Sequence, residues 1–279
     1  MAALCKLLGP NEEQMQLEGK VVMVTGGARG LGRSMALAYA REGADVAVVA
    51  RTPSELDAVA EEIRAIGRRC HTVKAELTTS EGAGRAAAET IDILGQIDVL
   101  VNNAGGYRLF TNSQTHSLSV LDITEEEWRL VMEANLTTTF MACKAVLPHM
   151  IARRSGAIVT LTSKNVARRG RAGQAAYAAS KAAVERLTEA LADEVKEFGI
   201  AVNILDPGWN LTKANDDYDD EVYKRMRLPD DVAEAAVFIA TRTTETMTGQ
   251  LVAAPEYDQE HGIERRSAFE RGGRPAAGP

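Results

Sequence analysis

Short apolar runs alternate along the chain with segments whose apolar positions recur every three or four residues. Val21 to Thr25, Val46 to Ala50, His71 to Ala75, Asp98 to Val101, Ala157 to Leu161, Ala201 to Leu205 and Gln250 to Ala253 read as strands. The most continuous of them suit strands buried on both faces. Between them lie helical patterns: Ser34 to Glu42, Ser54 to Ile66, Gly82 to Leu94, Glu125 to Ala152, Tyr177 to Phe198 and Pro229 to Thr241. Strand and helix in strict alternation predict an α/β fold, a doubly wound parallel sheet of about seven strands with helices on both faces. With no internal repeat and no linker of shifted composition, one domain is expected over 19–257, with an extension at 1–18 and a tail at 258–279. The end of that tail, rich in Gly, Pro and Ala, is expected to be disordered unless a neighbouring subunit holds it.

Composition narrows the function classes. A chain of 279 residues, 45% hydrophobic and 25% charged, is long enough to bury a sizeable core. Its formal net charge of −7 argues against a nucleic-acid-binding surface. No apolar run approaches the roughly 20 residues that span a bilayer. Three scattered cysteines, Cys5, Cys70 and Cys143, show neither a disulfide framework nor zinc spacing, and the expectation is a reducing cytoplasm. The four histidines, His71, His116, His149 and His261, form no metal motif.

Two motifs carry candidate chemistry. The first is the glycine-rich turn from Thr25 to Gly32, which leads from the first strand into the first helix. Its spacing, Gly26-x-x-x-Gly30-x-Gly32, permits close backbone approach to a pyrophosphate at a helix N-terminus. Gly26, Ala28, Arg29, Gly30, Leu31 and Gly32 are the expected cofactor contacts. An NAD site usually ends the second strand in a carboxylate. Here the strand runs into Arg51, with Arg29 nearby, and two guanidinium groups suit a 2′-phosphate. NADP(H) is therefore expected over NAD(H). The second motif is Tyr177 followed four residues later by Lys181, in an Ala-rich segment that should be helical. Residues four apart share a helix face. An ammonium beside a phenol favours phenolate and lowers its pKa, so Tyr177 is a candidate general acid/base.

With the glycine turn, Asn102 to Gly105, Asn135 and the Tyr177/Lys181 pair in that order, the chain resembles a short-chain dehydrogenase/reductase, in the 3-oxoacyl-carrier-protein reductase-like branch. The resemblance runs from about Leu17 to Gln250. It implies an NADP(H)-dependent oxidoreductase that moves hydride between nicotinamide and a carbonyl or secondary alcohol. It also implies a homo-oligomer, tetramer or dimer, packing through the Tyr177 to Phe198 helix. Carried onto this chain, Asn103, Ala104 and Gly105 line the adenine-ribose side, and Pro207, Gly208 and Thr212 approach the nicotinamide. Lys181 bonds the nicotinamide ribose, Asn135 holds a water in a proton relay, and a serine assists Tyr177.

The chain departs from the family pattern in four places. The family's step back from Tyr177 lands on Lys164, whereas Ser163 lies 14 positions before Tyr177. Either the loop from Asn165 to Gly173 holds one extra residue and Ser163 is catalytic, which is the reading preferred here, or the serine role is lost. Loss would leave a nucleotide-binding sensor or scaffold. A reductase of imines or enones is a further alternative. Arg168, Arg169 and Arg171 in the same loop are read as solvated. The segment Gly106 to Thr124 looks long, the segment after Thr212 looks short and acidic, and the last strand lacks the usual Asp-Gly-Gly. The long loop is expected to replace part of the substrate lid, with Tyr107, Leu109, Phe110 or His116 facing substrate.

Overall fold

The computed structural model describes residues 15–106, 119–170, 172–212 and 220–272. Arg171 and the long-loop residues Tyr107, Leu109, Phe110 and His116 lie outside them, as does most of the acidic segment after Thr212.

Seven strands form one parallel sheet in the order β3-β2-β1-β4-β5-β6-β7. They are β1 (Val21–Thr25), β2 (Asp45–Ala50), β3 (Cys70–Lys74), β4 (Val99–Asn102), β5 (Gly156–Leu161), β6 (Ile200–Asp206) and β7 (Leu251–Ala253). β1, β4 and β6 are buried at every position. That is why they read as continuous apolar runs rather than as an alternation. One face packs on α1 (Gly30–Arg41), α2 (Pro53–Ala65) and α9 (Ala233–Ala240), with Tyr39, Val48, Ile63 and Leu205 in its core. The other packs on α3 (Ser80–Leu94), α5 (Thr138–Arg153) and α7 (Ala175–Val195), around Met23, Leu100, Ile158 and Val202. The strand order reverses between β1 and β4, and a crevice opens there beyond the strands' carboxyl ends, where open α/β sheets bind ligands.

Three features differ from the sequence expectation. The pattern from Glu125 to Ala152 is not one regular helix. α4 (Glu125–Met132) starts on a capping box, Thr124 with Glu127, and gives way to a π turn over Glu133–Thr137 before α5 resumes. A one-residue loosening of the hydrogen-bond ladder leaves no mark in a three-to-four periodicity. The second difference is a short helix, α6 (Lys164–Arg169), inside the serine loop.

The third concerns the domain limits. At the N-terminal side Leu17 is buried and its N–H bonds the Glu42 carbonyl, so packing begins before Gly19. At the C-terminal side α10 (Ala254–Glu260) continues from β7. The chain beyond it returns to the segment carrying α8 (Asp220–Tyr223), where Ala268 N–H bonds the Met226 carbonyl at 2.7 Å. Ala268 packs with Leu211, Tyr223 and Met226. Asp258 accepts from Arg227 at 2.7 Å and from Arg265 at 3.2 Å, and Arg271 pairs with Asp231. These contacts hold residues 258–272 against the rest of the chain.

Candidate active site

The glycine turn is built by the ends of β1 and β4. Gly26 N–H bonds the Val49 carbonyl at 2.7 Å, which locks the turn to β2. The Thr25 hydroxyl bonds the Val101 carbonyl and accepts from the N–H groups of Asn103 and Ala104 at 3.0 and 3.1 Å. The Asn103 side-chain amide donates to the carbonyls of Thr25 and Gly26, both at 3.0 Å. Asn103 therefore holds the turn with its side chain. Gly32 seats α1 against it, since a Cβ there would lie 2.2 Å from the Gly26 oxygen. At Gly30 an added Cβ would meet only the Thr212 Cγ2, at 3.7 Å. That contact places Thr212 across the turn from the start of α1. The α1 N-cap residue, Arg29, makes no side-chain capping bond. The bare helix end and glycine cradle fit a dinucleotide pyrophosphate.

The two arginines flank this crevice. Arg29 lies 3.5 Å from Glu55, and Arg51 lies 3.5 Å from Glu76, all solvent-accessible. Exposed pairs of this kind contribute only about 0–1 kcal/mol and exchange partners easily. Arg51 also lines a cleft of about 450 Å³ with Lys74, Ala75, Glu76 and Arg85. Lys74 and Arg85 were not singled out from the sequence. They reach Arg51 only through the β2–β3 register, which aligns Ala50 with Lys74, and through Arg85 donating to the Lys74 carbonyl at 2.7 Å.

At the other end of the crevice, Tyr177 and Lys181 lie one turn apart on α7, the ammonium 5.8 Å from the phenol ring centroid. Lys181 is buried and donates to the Leu161 carbonyl at 3.0 Å. Burial lowers its pKa to about 8, against the opposing pull of Asp206 and Glu185. Tyr177 moves the other way from the sequence expectation. Burial first, then the Asp206 carboxylate, raise its pKa above the ordinary value, and a hydrogen bond with Ser163 offsets part of that. Desolvation penalises the Lys181 ammonium, while the two carboxylates favour it.

Ser163 is the N-cap residue of α6, yet its side chain makes no capping bond. Lys164, where the family's spacing lands, turns its ammonium away to Glu256 on α10. Asn135 sits in the π turn. Its side chain accepts from Gly106 N–H at 3.1 Å and donates to the carbonyls of Gly106 and Val131. It thus clamps the start of the long loop. Gly105, next to that clamp, would bring a Cβ within 2.6 Å of the Asn135 Oδ1. Pro207 and Gly208 turn the chain out of β6, where Asn210 donates to both their carbonyls.

A family model described as short chain dehydrogenase matches residues 20–222. The chain belongs to the short-chain dehydrogenase family. Among curated relatives of this short-chain dehydrogenase, a 3-oxoacyl-[acyl-carrier-protein] reductase of Chlamydia pneumoniae is 35% identical over 243 residues, 84% of this chain and 94% of the relative. An uncharacterized oxidoreductase of Mycobacterium tuberculosis is 35% identical over 249 residues, 85% of this chain and 91% of the relative. Among solved structures, a short-chain type dehydrogenase/reductase from Mycobacterium marinum superposes with a TM-score of 0.76 at 28% identity, covering 86% of this chain and 95% of that one. As a member of the 3-oxoacyl-carrier-protein reductase-like branch, the chain is an NAD(P)-dependent oxidoreductase.

Proposed function

We propose that this dehydrogenase is an NADP(H)-dependent carbonyl reductase in which Tyr177 is the general acid. The observation that carries the reading is the placing of Tyr177 one turn from buried Lys181 on α7, with the ammonium 5.8 Å from the phenol ring centroid. Nicotinamide supplies hydride when bound; the protein's own residues place the substrate oxygen and manage the proton. A carbonyl oxygen seated between Ser163 and Tyr177 receives a hydrogen bond from each. As negative charge grows on it, the phenol passes its proton over, and Ser163 steadies the oxygen from the side. Gly26 to Gly32 and Thr212 would hold the cofactor, with Lys181 toward its ribose. Asn135 supports the site by fixing Gly106. The relatives named 3-oxoacyl-[acyl-carrier-protein] reductases favour a β-keto thioester as the first substrate to try.

The reading is tested by following NADPH oxidation with acetoacetyl-N-acetylcysteamine thioester and a panel of aldehydes and ketones, with product identification. Alcohol formation is expected. NADPH binding without turnover of any carbonyl would overturn it.

Cofactor preference has its own test. The double variant Arg29→Ala/Arg51→Ala is expected to lower kcat/KM for NADPH by about a hundredfold, as loss of two charged hydrogen bonds requires, and to leave NADH nearly unchanged. Equal losses with both cofactors would refute discrimination by these arginines.

The pH dependence follows from the two shifts. Tyr177 keeps its proton through neutral pH because its pKa is raised, so the acid is present throughout. Lys181 loses its proton as pH passes about 8. Reductive kcat/KM is expected to be level below that point and to fall above it. Lys181→Arg should remove the alkaline fall, since arginine stays charged, at some cost in absolute rate. An unchanged alkaline limb in that variant would assign the limb to another group.

A further inference from the structure

We propose that Arg227 is a positioning residue of the cofactor site: anchored on Asp258 of α10, it pairs its backbone with Trp209 and Leu211 and so sets Thr212 across the glycine turn. The inference rests on the reading, under Proposed function, that Thr212 holds the cofactor, at the nicotinamide end that the family resemblance implies.

Past the Pro207–Gly208 turn, Asn210 forms an isolated parallel bridge with Arg227, outside the seven-stranded sheet. Arg227 N–H bonds the Trp209 carbonyl and Leu211 N–H bonds the Arg227 carbonyl, both at 2.8 Å. Thr212 follows directly. Its Cγ2 is the atom that a Cβ at Gly30 would meet, at 3.7 Å. Whatever fixes Arg227 therefore helps to fix the gap between Thr212 and the start of α1.

The Arg227 side chain runs back to α10. Its guanidinium donates to the Asp258 carboxylate at 2.7 Å and to the Asp231 carbonyl. The side chains of Arg227 and Asp258 are 12% and 5% exposed, so water competes little for the pair. The arginine stem lies along the root of the segment. A Cβ added at Gly208 would come within 3.3 Å of the Arg227 Cδ and 2.7 Å of the Pro255 Cγ. The neighbours of Arg227 are held as well. Met226 accepts from Ala268 N–H at 2.7 Å, and Leu228 N–H bonds the Asp231 carboxylate at 3.0 Å.

Two backbone hydrogen bonds make a weak hinge by themselves, each contributing about 1 kcal/mol net. An arginine that meets a carboxylate and a carbonyl at once is a firmer anchor, because its donors sit in a rigid fork. Asp258 also accepts from Arg265 at 3.2 Å. Loss of Arg227 therefore leaves no uncompensated buried carboxylate, and Arg227→Ala is expected to fold.

The test uses the full chain and four variants: Arg227→Ala, Arg227→Lys, Thr212→Ala and Thr212→Ala/Arg227→Ala. Two probes are titrated by calorimetry, NADP+ and 2′-phospho-ADP-ribose, which lacks the nicotinamide. Amide hydrogen exchange is followed over 208–212. Arg227→Ala is expected to weaken NADP+ binding about tenfold, the scale on which a residue acting through its neighbours modulates a site. Binding of 2′-phospho-ADP-ribose should stay unchanged, whereas a general loss of structure would weaken both probes alike. Arg227→Lys, whose ammonium can still meet Asp258, should recover most of the affinity. In the Thr212→Ala background, Arg227→Ala should add almost nothing, because the residue acts through Thr212. Exchange over 208–212 should quicken in Arg227→Ala and not in Arg227→Lys.

Equal loss of both probes, full additivity with Thr212→Ala, or no rescue by lysine would each overturn the proposal. If Arg227→Ala does not fold, Arg227→Met, which keeps the stem against Gly208 and removes the donors, takes its place with the same expectations. A loss of NADP+ affinity in Thr212→Ala with none in Arg227→Ala overturns the proposal alone. Unchanged affinity in Thr212→Ala overturns the reading of Thr212 under Proposed function, and the proposal with it.

Discussion

Tyr177→Phe is expected to lower kcat by about a thousandfold, the range seen when a positioned general acid is removed. The substitution takes away one oxygen atom. That oxygen is the proton donor in the proposed reaction. The ring remains, its contact with the Lys181 ammonium at 5.8 Å remains, and the Ala-rich helix around it keeps its propensity. Cofactor affinity, read by NADPH fluorescence titration, should therefore change by no more than about threefold, since removing one hydroxyl from a half-open site disturbs little else. Single-turnover rates with saturating NADPH separate the proton step from cofactor release. A variant retaining a tenth or more of parent activity would mean that another group supplies the proton. Ser163 is the nearest candidate, and the double variant would then be the informative one.

Gly32→Ala is expected to abolish measurable cofactor binding and to lower the thermal midpoint. A Cβ at this position would lie 2.2 Å from the Gly26 oxygen, 2.5 Å from the Asn103 Nδ2 and 2.9 Å from the Gly26 carbonyl carbon. Two of the three atoms are backbone and cannot swing aside. Relief requires α1 to move off the turn, which breaks the pair of 3.0 Å bonds from the Asn103 amide. Overpacking of this kind costs about 1–3 kcal/mol, and losing the two hydrogen bonds adds to it. Gly30→Ala, two residues away, makes the contrast. There the added Cβ meets nothing closer than 3.7 Å, but φ is +53°, so the cost is backbone strain of about 1–2 kcal/mol. The expected order is therefore Gly32→Ala far worse than Gly30→Ala, by both NADPH titration and thermal unfolding. Equal effects would indicate that the turn repacks freely and that Gly32 is not a spacing element.

Much of this was legible before folding. The strand–helix alternation is local, and the i, i+4 step of Tyr177 and Lys181 is helix geometry. The glycine turn declares itself by position, after one apolar strand and before one helix. Glu185 continues the Tyr177 and Lys181 face by another four residues, and Asp206 closes a strand in which Asn203 is the only other polar residue. Both carried a readable signal that pattern reading passed over. What sequence spacing misjudged was electrostatic. Lys181 looked like the charge that would acidify Tyr177, but the phenol's surroundings raise its pKa, because burial acts on both groups and Asp206 opposes phenolate.

The sequence by itself determined the order of elements, the doubly wound sheet and the shared helix face of Tyr177 and Lys181, since each depends on neighbours within a few residues. Only the tertiary structure decided that Ser163 stands at the start of a short helix, α6, which its side chain does not cap. It likewise decided that Lys74 and Arg85 join Arg51, through strand register, and that residues 258–272 are held to the domain by ion pairs of Asp258 with Arg227 and of Arg271 with Asp231. The last two are contacts between parts of the chain far apart in sequence, where spacing carries no information about distance.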